Sequence, residues 1–412
     1  MMKKEIYTPY GFRDKLFVEA AGARALNDRL HHVFELYGYH DITTPMVEYL
    51  KLFDEERGSI DPVNLYKFVD RDGELLVLRP DLTPAAARFA VTYLSEGDLP
   101  CRMCVNGQVF RYSGPFSGKA RELYQTGIEF IGTDSAESDA EVLEAALDAL
   151  EATGLKSWRM ALGEAGLVRE VLSLVPGDDL CKYVNSRNYP ALDAEMQTRK
   201  VPEPLRQLVS IMTRTGGIEL VNEALQYLDE LNSEYDTAAA RGAFARLAEV
   251  WNALQRAGKT DRLTVDPGMT PDLQYYTGIV FQAYADGSGE YILDGGRYDD
   301  LYRQFDRNWP AVGFGVQVNQ VMQALQAQHC VQDSPKWVYV AGNDPALTAE
   351  AARYLRGRDI PVFRTEMTDR GAFEELYKDR SDCAIALWLD PEEDPALRQN
   401  LAEWLKEVLQ GA

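Results

Sequence analysis

In L-R-P-D-L-T-P, residues 78–84, Asp81 and Thr83 set a carboxylate and a hydroxyl two residues apart. A second run, V-F-R-Y, supplies Arg111. A third, Y-Q-T-G-I-E-F-I-G, covers residues 124–132 and reads as a strand. Alternation puts Gln125, Gly127 and Glu129 on one face and Thr126, Ile128 and Phe130 on the other. Asp81, Gln125 and Glu129 together suit a small cation. Carboxylates take an ammonium, and Glu129 can accept an N–H from an imidazole or an amide. The same residues read equally as a solvated sheet face with scattered polar groups.

The run T-P-D-L-Q-Y-Y-T-G-I-V-F-Q-A-Y, residues 270–284, also reads as a strand. Alternation aims Tyr276, Gly278 and Gln282 at one face and Tyr275, Thr277 and Phe281 at the other. An amide, a phenol and a bare glycine suit a surface that a ligand approaches closely. The run holds no Lys, Arg or His. Residues 290–294 are expected to return to β structure, and G-G-R-Y-D, residues 295–299, taken alone reads as a turn.

Around these runs the spacing predicts a helix over 14–37, with Leu26, Leu30, Val33 and Tyr37 at helical intervals and Gly38 as its stop. A strand-like stretch broken by Pro45 follows, then several short strands over 75–130. An amphipathic helix is expected over 136–153, and helices alone from about 190 to 258, where Leu205, Leu208, Val209 and Met212 make one apolar stripe. That helical part reads as an insertion in one α+β domain over 1–325, built on an antiparallel sheet with helices. W-V-Y-V-A-G, I-P-V-F-R-T and C-A-I-A-L-W-L read as three strands of a small C-terminal α/β domain over 334–412.

The 412 residues allow two to three domains. A net charge of −22 repels polyanions at long range, and no Lys/Arg-rich arm offsets it. No apolar run reaches the ~18 residues of a membrane span. The N-terminus shows no apolar leader, so the expected location is the cytoplasm. Cys101 and Cys104 form the one close cysteine pair, but their offset puts the sulfurs on opposite strand faces. With no second pair and no metal spacing among His31, His32, His40 and His329, no metal site or cofactor is expected.

Five segments resemble the class II histidyl-tRNA synthetases, in order. Y-G-Y-H-D-I-T-T-P resembles motif 1, with its closing Pro45. V-F-R-Y followed by R-E-L-Y-Q-T-G-I-E-F-I-G resembles motif 2. Q-Y-Y-T-G-I-V-F and G-G-R-Y-D-D-L look like the histidine-recognition segments, and P-A-V-G-F-G-V like the start of motif 3. The resemblance implies a class II synthetase core and a C-terminal domain like an anticodon-binding domain. It implies that Asp81 stands where the family holds the substrate ammonium and that Thr83 and Gln125 are neighbouring contacts. Glu129 and Tyr276, with Tyr275 of the same pair, would read the imidazole. Arg111 matches the motif 2 arginine on the ATP α-phosphate; with Arg121 it would be a vestige of the ATP side.

Two departures stand out. The family carries R-G-L-D before the tyrosine pair; here P-D-L-Q puts Pro271 at the arginine and Asp272 at the glycine. The motif 3 arginine that stacks on ATP is Gln320. Adenylation builds charge on phosphorus, and each lost cation commonly costs ~10²–10³ in rate. A recognition half without a catalytic half resembles the regulatory subunits of ATP phosphoribosyltransferase. That group looks like histidyl-tRNA synthetases without aminoacylation. The resemblance then implies a hetero-oligomer with a short-form catalytic subunit, feedback by histidine on the first step of histidine biosynthesis, a homodimer through the motif 1 region, and no tRNA partner. An active histidine–tRNA ligase and a free-standing synthetase-like histidine sensor are the alternatives.

Overall fold

A computed structural model describes residues 7–53, 61–114, 117–177, 180–270, 275–330, 337–378, 380 and 383–410. The chain forms two compact units, Met1–Val331 and Gln332–Ala412.

The first unit opens with α1 (Phe17–Leu36), β1 (His40–Ile42), β2 (Val47–Tyr49), β3 (Lys67–Val69) and β4 (Leu75–Leu78). Next come α2 (Thr83–Tyr93), β5 (Cys101–Phe110), β6 (Glu122–Ile131), α3 (Ala136–Thr153) and β7 (Trp158–Glu164). Six helices follow: α4 (Leu167–Ser173), α5 (Cys181–Asn185), α6 (Tyr189–Thr198), α7 (Glu203–Ile211), α8 (Glu219–Leu231) and α9 (Ala238–Arg256). The unit closes with β8 (Leu263–Val265), β9 (Ile279–Ala285), β10 (Leu293–Arg297), α10 (Asp299–Arg303), β11 (Ala311–Gln317) and α11 (Val318–Ala327).

The main sheet runs β1-β5-β6-β11-β10-β9-β7-β8. The strands from β5 to β7 in that order are antiparallel neighbours, and short parallel strands flank them at both edges. One face packs on α1, α3 and α11. Helix α1 buries Leu26, Leu30, Val33 and Phe34, a stripe at 3.6-residue period, and Phe34 meets Phe314 edge-on at 5.6 Å. Helix α3 is held at both ends. Ser135 and Ser138 exchange cap bonds, and Gly154 closes it in the left-handed region at φ 85°. Its Leu143, Leu147 and Leu150 are buried, each contributing about 1.5–3 kcal/mol against exposure. Ile128 and Phe130 of β6 join this core, as the alternation predicts.

The opposite face carries a second cluster with Leu82, Ala86, Met103, Val105, Tyr275, Tyr298 and Tyr302. Helix α2 belongs to it, and this helix was not anticipated. The short strands expected over 75–130 left no place for it, yet Pro84 is compatible with a helix start, and Ala85, Ala86 and Ala87 propagate the helix behind it. The helical part begins at Leu167, not near 190: Val175-Pro176-Gly177 interrupts the periodicity of the two short helices that precede α6. Its apolar stripes join the same core as the sheet. A three-stranded sheet, β2-β4-β3, lies apart from the main one.

The second unit has β12 (Trp337–Gly342), α12 (Pro345–Arg356), β13 (Val362–Arg364), α13 (Arg370–Tyr377), β14 (Cys383–Leu389) and α14 (Ala396–Gln410). Its sheet is parallel, in the order β13-β12-β14, with helices between the strands.

Candidate functional site

The odd residues of β6 form the floor of a small pocket on the α2 side of the main sheet. Gln125, Gly127 and Glu129 line it with Asp81, Thr83, Tyr275, Tyr276, Asp294 and Tyr298. The backbone of β11 runs alongside, with Gly313 paired to Glu129 and Gly315 to Gly127. A Cβ on Gly313 would overlap the Glu129 carboxylate, so the floor needs a bare backbone there. The start of α2 delivers Asp81 and Thr83 from above. All six residues expected to contact histidine therefore meet in one place.

The tyrosine pair arrives there by another route than alternation. Strand β9 begins only at Ile279, so Tyr275 and Tyr276 precede it in non-strand backbone. Freed from the two-residue repeat, both rings face the same pocket, 4.9 Å apart. The expectation that Tyr275 points to the other face is thus corrected. G-G-R-Y-D is not a turn: Leu293–Arg297 is strand β10. Pro271, Asp272 and Gln274 lie outside the described residues.

The polar groups are tied to each other. The Thr83 hydroxyl donates to Glu129 Oε1 at 2.7 Å, and the Tyr298 hydroxyl donates to Glu129 Oε2. The Tyr275 hydroxyl donates to Asp81 Oδ2 at 3.1 Å. Burial pushes the Glu129 carboxyl up to about 8, and neighbouring Asp81 adds to the rise. The hydrogen bonds from Tyr298 and Thr83 oppose it. Burial, then the nearby Asp81, holds the Tyr275 phenol well above its ordinary range, so it stays a donor. One acceptor is orphaned: Gln125 Oε1 is buried with no hydrogen-bond partner among the described residues. Such a group costs about 1–3 kcal/mol unless something donates to it. The cavity measures about 20 Å³, room for about one water molecule.

A larger cleft of about 1660 Å³ lies alongside, lined by Arg111, Lys119, Glu290, Tyr291 and Gln320 among others. The Arg111 Nε donates to the Pro80 carbonyl at 2.9 Å. Burial lowers its affinity for the proton, but Tyr291, Asp81 and Asp294 outweigh that and hold the charge firmly. The Arg121 guanidinium stacks on Tyr112 at 4.3 Å and Tyr10 at 4.9 Å and donates to the Ser113 carbonyl. Lys119 pairs with Glu290 at 2.6 Å. Gln320, at the motif 3 position, bonds Glu290 at 3.3 Å and Ser288 at 3.2 Å. The cations of this cleft are thus engaged by protein groups, and Gln320 adds none.

The residues missed from sequence are Tyr298, Asp294 and Tyr291. The first two lie in D-G-G-R-Y-D, whose turn-like composition hid that β10 runs on to Arg297 and leaves Tyr298 just past its end. Asp294 accepts from Gln317 at 3.2 Å, beside the floor. Spacing along the chain also pointed to no metal site, whereas in space His31, Asp41 and Cys104 place ligand atoms within 4.8 Å of one another.

Residues 11–321 match the histidyl-tRNA synthetase family profile. The ATP phosphoribosyltransferase regulatory subunit of Acetivibrio thermocellus is 33% identical over 343 residues, 82% of this chain and 80% of that one. The subunit of the same name from Moorella thermoacetica is 34% identical over 360 residues, 86% and 90% of the two chains. Among solved structures, an ATP phosphoribosyltransferase regulatory subunit/histidyl-tRNA synthetase from Bacillus halodurans superposes with a TM-score of 0.78 at 26% identity, covering 93% of this chain and 98% of that one. The histidyl-tRNA synthetase of Nostoc has the same fold, with a TM-score of 0.78 at 19% identity over 95% and 93% of the two chains.

Proposed function

The chain belongs to the family of ATP phosphoribosyltransferase regulatory subunits, built on the histidyl-tRNA synthetase module, and from that premise we propose that it binds free histidine in the Glu129 pocket and regulates a separate catalytic subunit without adenylating histidine itself. One observation carries the reading. The recognition side is assembled, with Asp81, Thr83, Gln125, Glu129, Tyr275 and Tyr276 around one cavity, while the ATP side presents Gln320 bonded to Glu290 where a cation is needed. Adenylation without that preorganised cation loses a factor of ~10²–10³, and Pro271 cannot supply another.

Histidine supplies what the pocket's acceptors call for. Its ammonium suits Asp81, an imidazole N–H suits Glu129, and a further N–H answers Gln125 Oε1. A cavity that holds about one water admits histidine only when its lining moves apart. The ligand thereby selects one arrangement over another, which is the requirement for regulation. The partner is a short-form ATP phosphoribosyltransferase catalytic subunit in a cytoplasmic hetero-oligomer, and the net charge of −22 speaks against tRNA. Exposed Met46, Val47, Tyr49, Phe68, Val69 and Leu75 on and beside the β2-β4-β3 sheet support a homodimer through the motif 1 region.

Two assays test this. The purified chain should show no histidine-dependent ATP–pyrophosphate exchange; robust exchange would establish a working synthetase instead. Mixed with a short-form catalytic subunit, it should raise phosphoribosyl-ATP formation, and histidine should suppress that gain. Unchanged activity together with no response to histidine would overturn the regulatory reading.

A further inference from the structure

At the β1 edge of the main sheet, away from the histidine pocket, three side chains with different donor atoms converge. Asp41 on β1 and Cys104 on β5 are direct partners in the parallel register, so their side chains stand on one face. His31 reaches the same point from α1, which packs on that face. Its Nε2 lies 2.5 Å from Asp41 Oδ1, and the Cys104 Sγ lies within 4.8 Å of both.

We propose that His31 Nε2, Asp41 Oδ1 and Cys104 Sγ form a binding site for one divalent transition-metal ion of borderline softness, such as zinc. The donor set argues for that class. An imidazole with a thiolate selects zinc-like ions over magnesium or calcium, which demand oxygen. The separations fit after small movements. Tetrahedral zinc, with bonds of about 2.0–2.3 Å, needs ligand atoms roughly 3.3–3.7 Å apart. Here all three lie within 4.8 Å, and the shortest separation is 2.5 Å. The carboxylate that must shift is the mobile partner, since the Asp41 side chain is 56% exposed and the His31 side chain 20%. Cys104 is fully buried behind them.

The outer shell is suited as well. Glu35, one turn along α1, places Oε1 3.8 Å from His31 Nδ1, the nitrogen a metal would leave free. A carboxylate there is within reach of the ring N–H that a metal on Nε2 would leave free. Binding converts the Cys104 thiol to thiolate, its proton passing to solvent. Three protein ligands leave the fourth position to water, on the exposed side. The alternative is that the three groups form a bare hydrogen-bonded cluster with no ion.

Cobalt(II) titration of the full, chelator-stripped chain tests this, because thiolate ligation gives a near-ultraviolet charge-transfer band. The expected result is one ion per chain with that band. Cys104→Ser should abolish the band, and His31→Gln and Asp41→Asn should each weaken binding by about tenfold or more. His32→Gln, the exposed neighbour on the same helix, should change nothing. Should buried Cys104→Ser fail to fold by circular dichroism, the exposed Asp41→Asn and the His31→Gln titrations decide. Absence of saturable binding, a band that survives Cys104→Ser, or binding indifferent to His31→Gln and Asp41→Asn overturns the proposal.

Discussion

Replacing Glu129 by Gln should flatten the pH dependence of stability of the first unit. Glu129 is 2% exposed, and burial with a neighbouring Asp81 pushes its carboxyl to about 8. In the unfolded chain the same group titrates near ~4.3. Between these values the folded protein holds a proton that the unfolded chain has released, so stability falls as pH rises. The loss begins above the ordinary carboxylate range and levels off beyond about pH 8. At about 1.4 kcal/mol per pH unit, the three units from about pH 5 to about pH 8 cost up to about 4 kcal/mol. Gln keeps a carbonyl to accept from Thr83 or Tyr298 but cannot ionise. The assay is the denaturant midpoint of both proteins from pH 5 to 9, read as a difference. The rest of the molecule then cancels, which matters in a chain of two units that need not unfold in one step. The variant should gain on the parent steadily up to pH 8 and no further. Parallel curves, or a variant that loses ground to the parent as pH rises, would show that Glu129 is ionised in the folded state.

Asp81→Asn should weaken histidine binding about 30-fold, or about 2 kcal/mol, by removing the charge that meets the ammonium; an unchanged Kd by calorimetry would sink that assignment. Gly313→Ala should cost about 1–3 kcal/mol and abolish histidine binding, because the new methyl overlaps the Glu129 carboxylate and the Ile128 carbonyl. Arg297→Ala should lower stability by about 3 kcal/mol, since Asp139 is fully buried beside it at 2.6 Å; the Arg246 bond at 2.8 Å limits the loss, which denaturant midpoints measure.

How much of the site was legible depended on the backbone that carries each residue. Strand β6 runs unbroken from Glu122 to Ile131, so alternation placed Gln125, Gly127 and Glu129 correctly. The tyrosine pair failed the same rule because its strand starts three residues after Tyr276. Composition alone could not reveal that, since Tyr, Thr and Val favour extended chain in and out of sheets. Tyr298 was hidden by glycines. In Gly295 and Gly296 the missing side chains make room for Phe281, Phe314 and Tyr276, which is a packing requirement and not a turn. The His31, Asp41 and Cys104 cluster was out of reach for another reason: its closeness comes from strand register and helix docking, neither of which spacing records. The fold was more readable, because long helices such as α3 carry their period and both caps in sequence.

The two borders of the main sheet have a consequence for how this chain behaves in a crowded cell. An open sheet edge is a template on which a foreign strand can add itself, and long flat edges seed aggregates. Here the outermost strands, β1 and β8, are three residues each; the ten-residue β5 beside β1 reaches past it, and there its Gln108 carbonyl and Phe110 N–H are bonded to Arg79 at 2.8 and 2.9 Å. On β8 even part of that short border is taken, for Val265 exchanges both backbone bonds with Gly216, at 2.7 and 3.1 Å. An intruding strand would find few ladder bonds to gain at either end. The sheet is thereby guarded against self-templating growth while its interior stays free to carry the bare, glycine-lined floor on which the pocket rests.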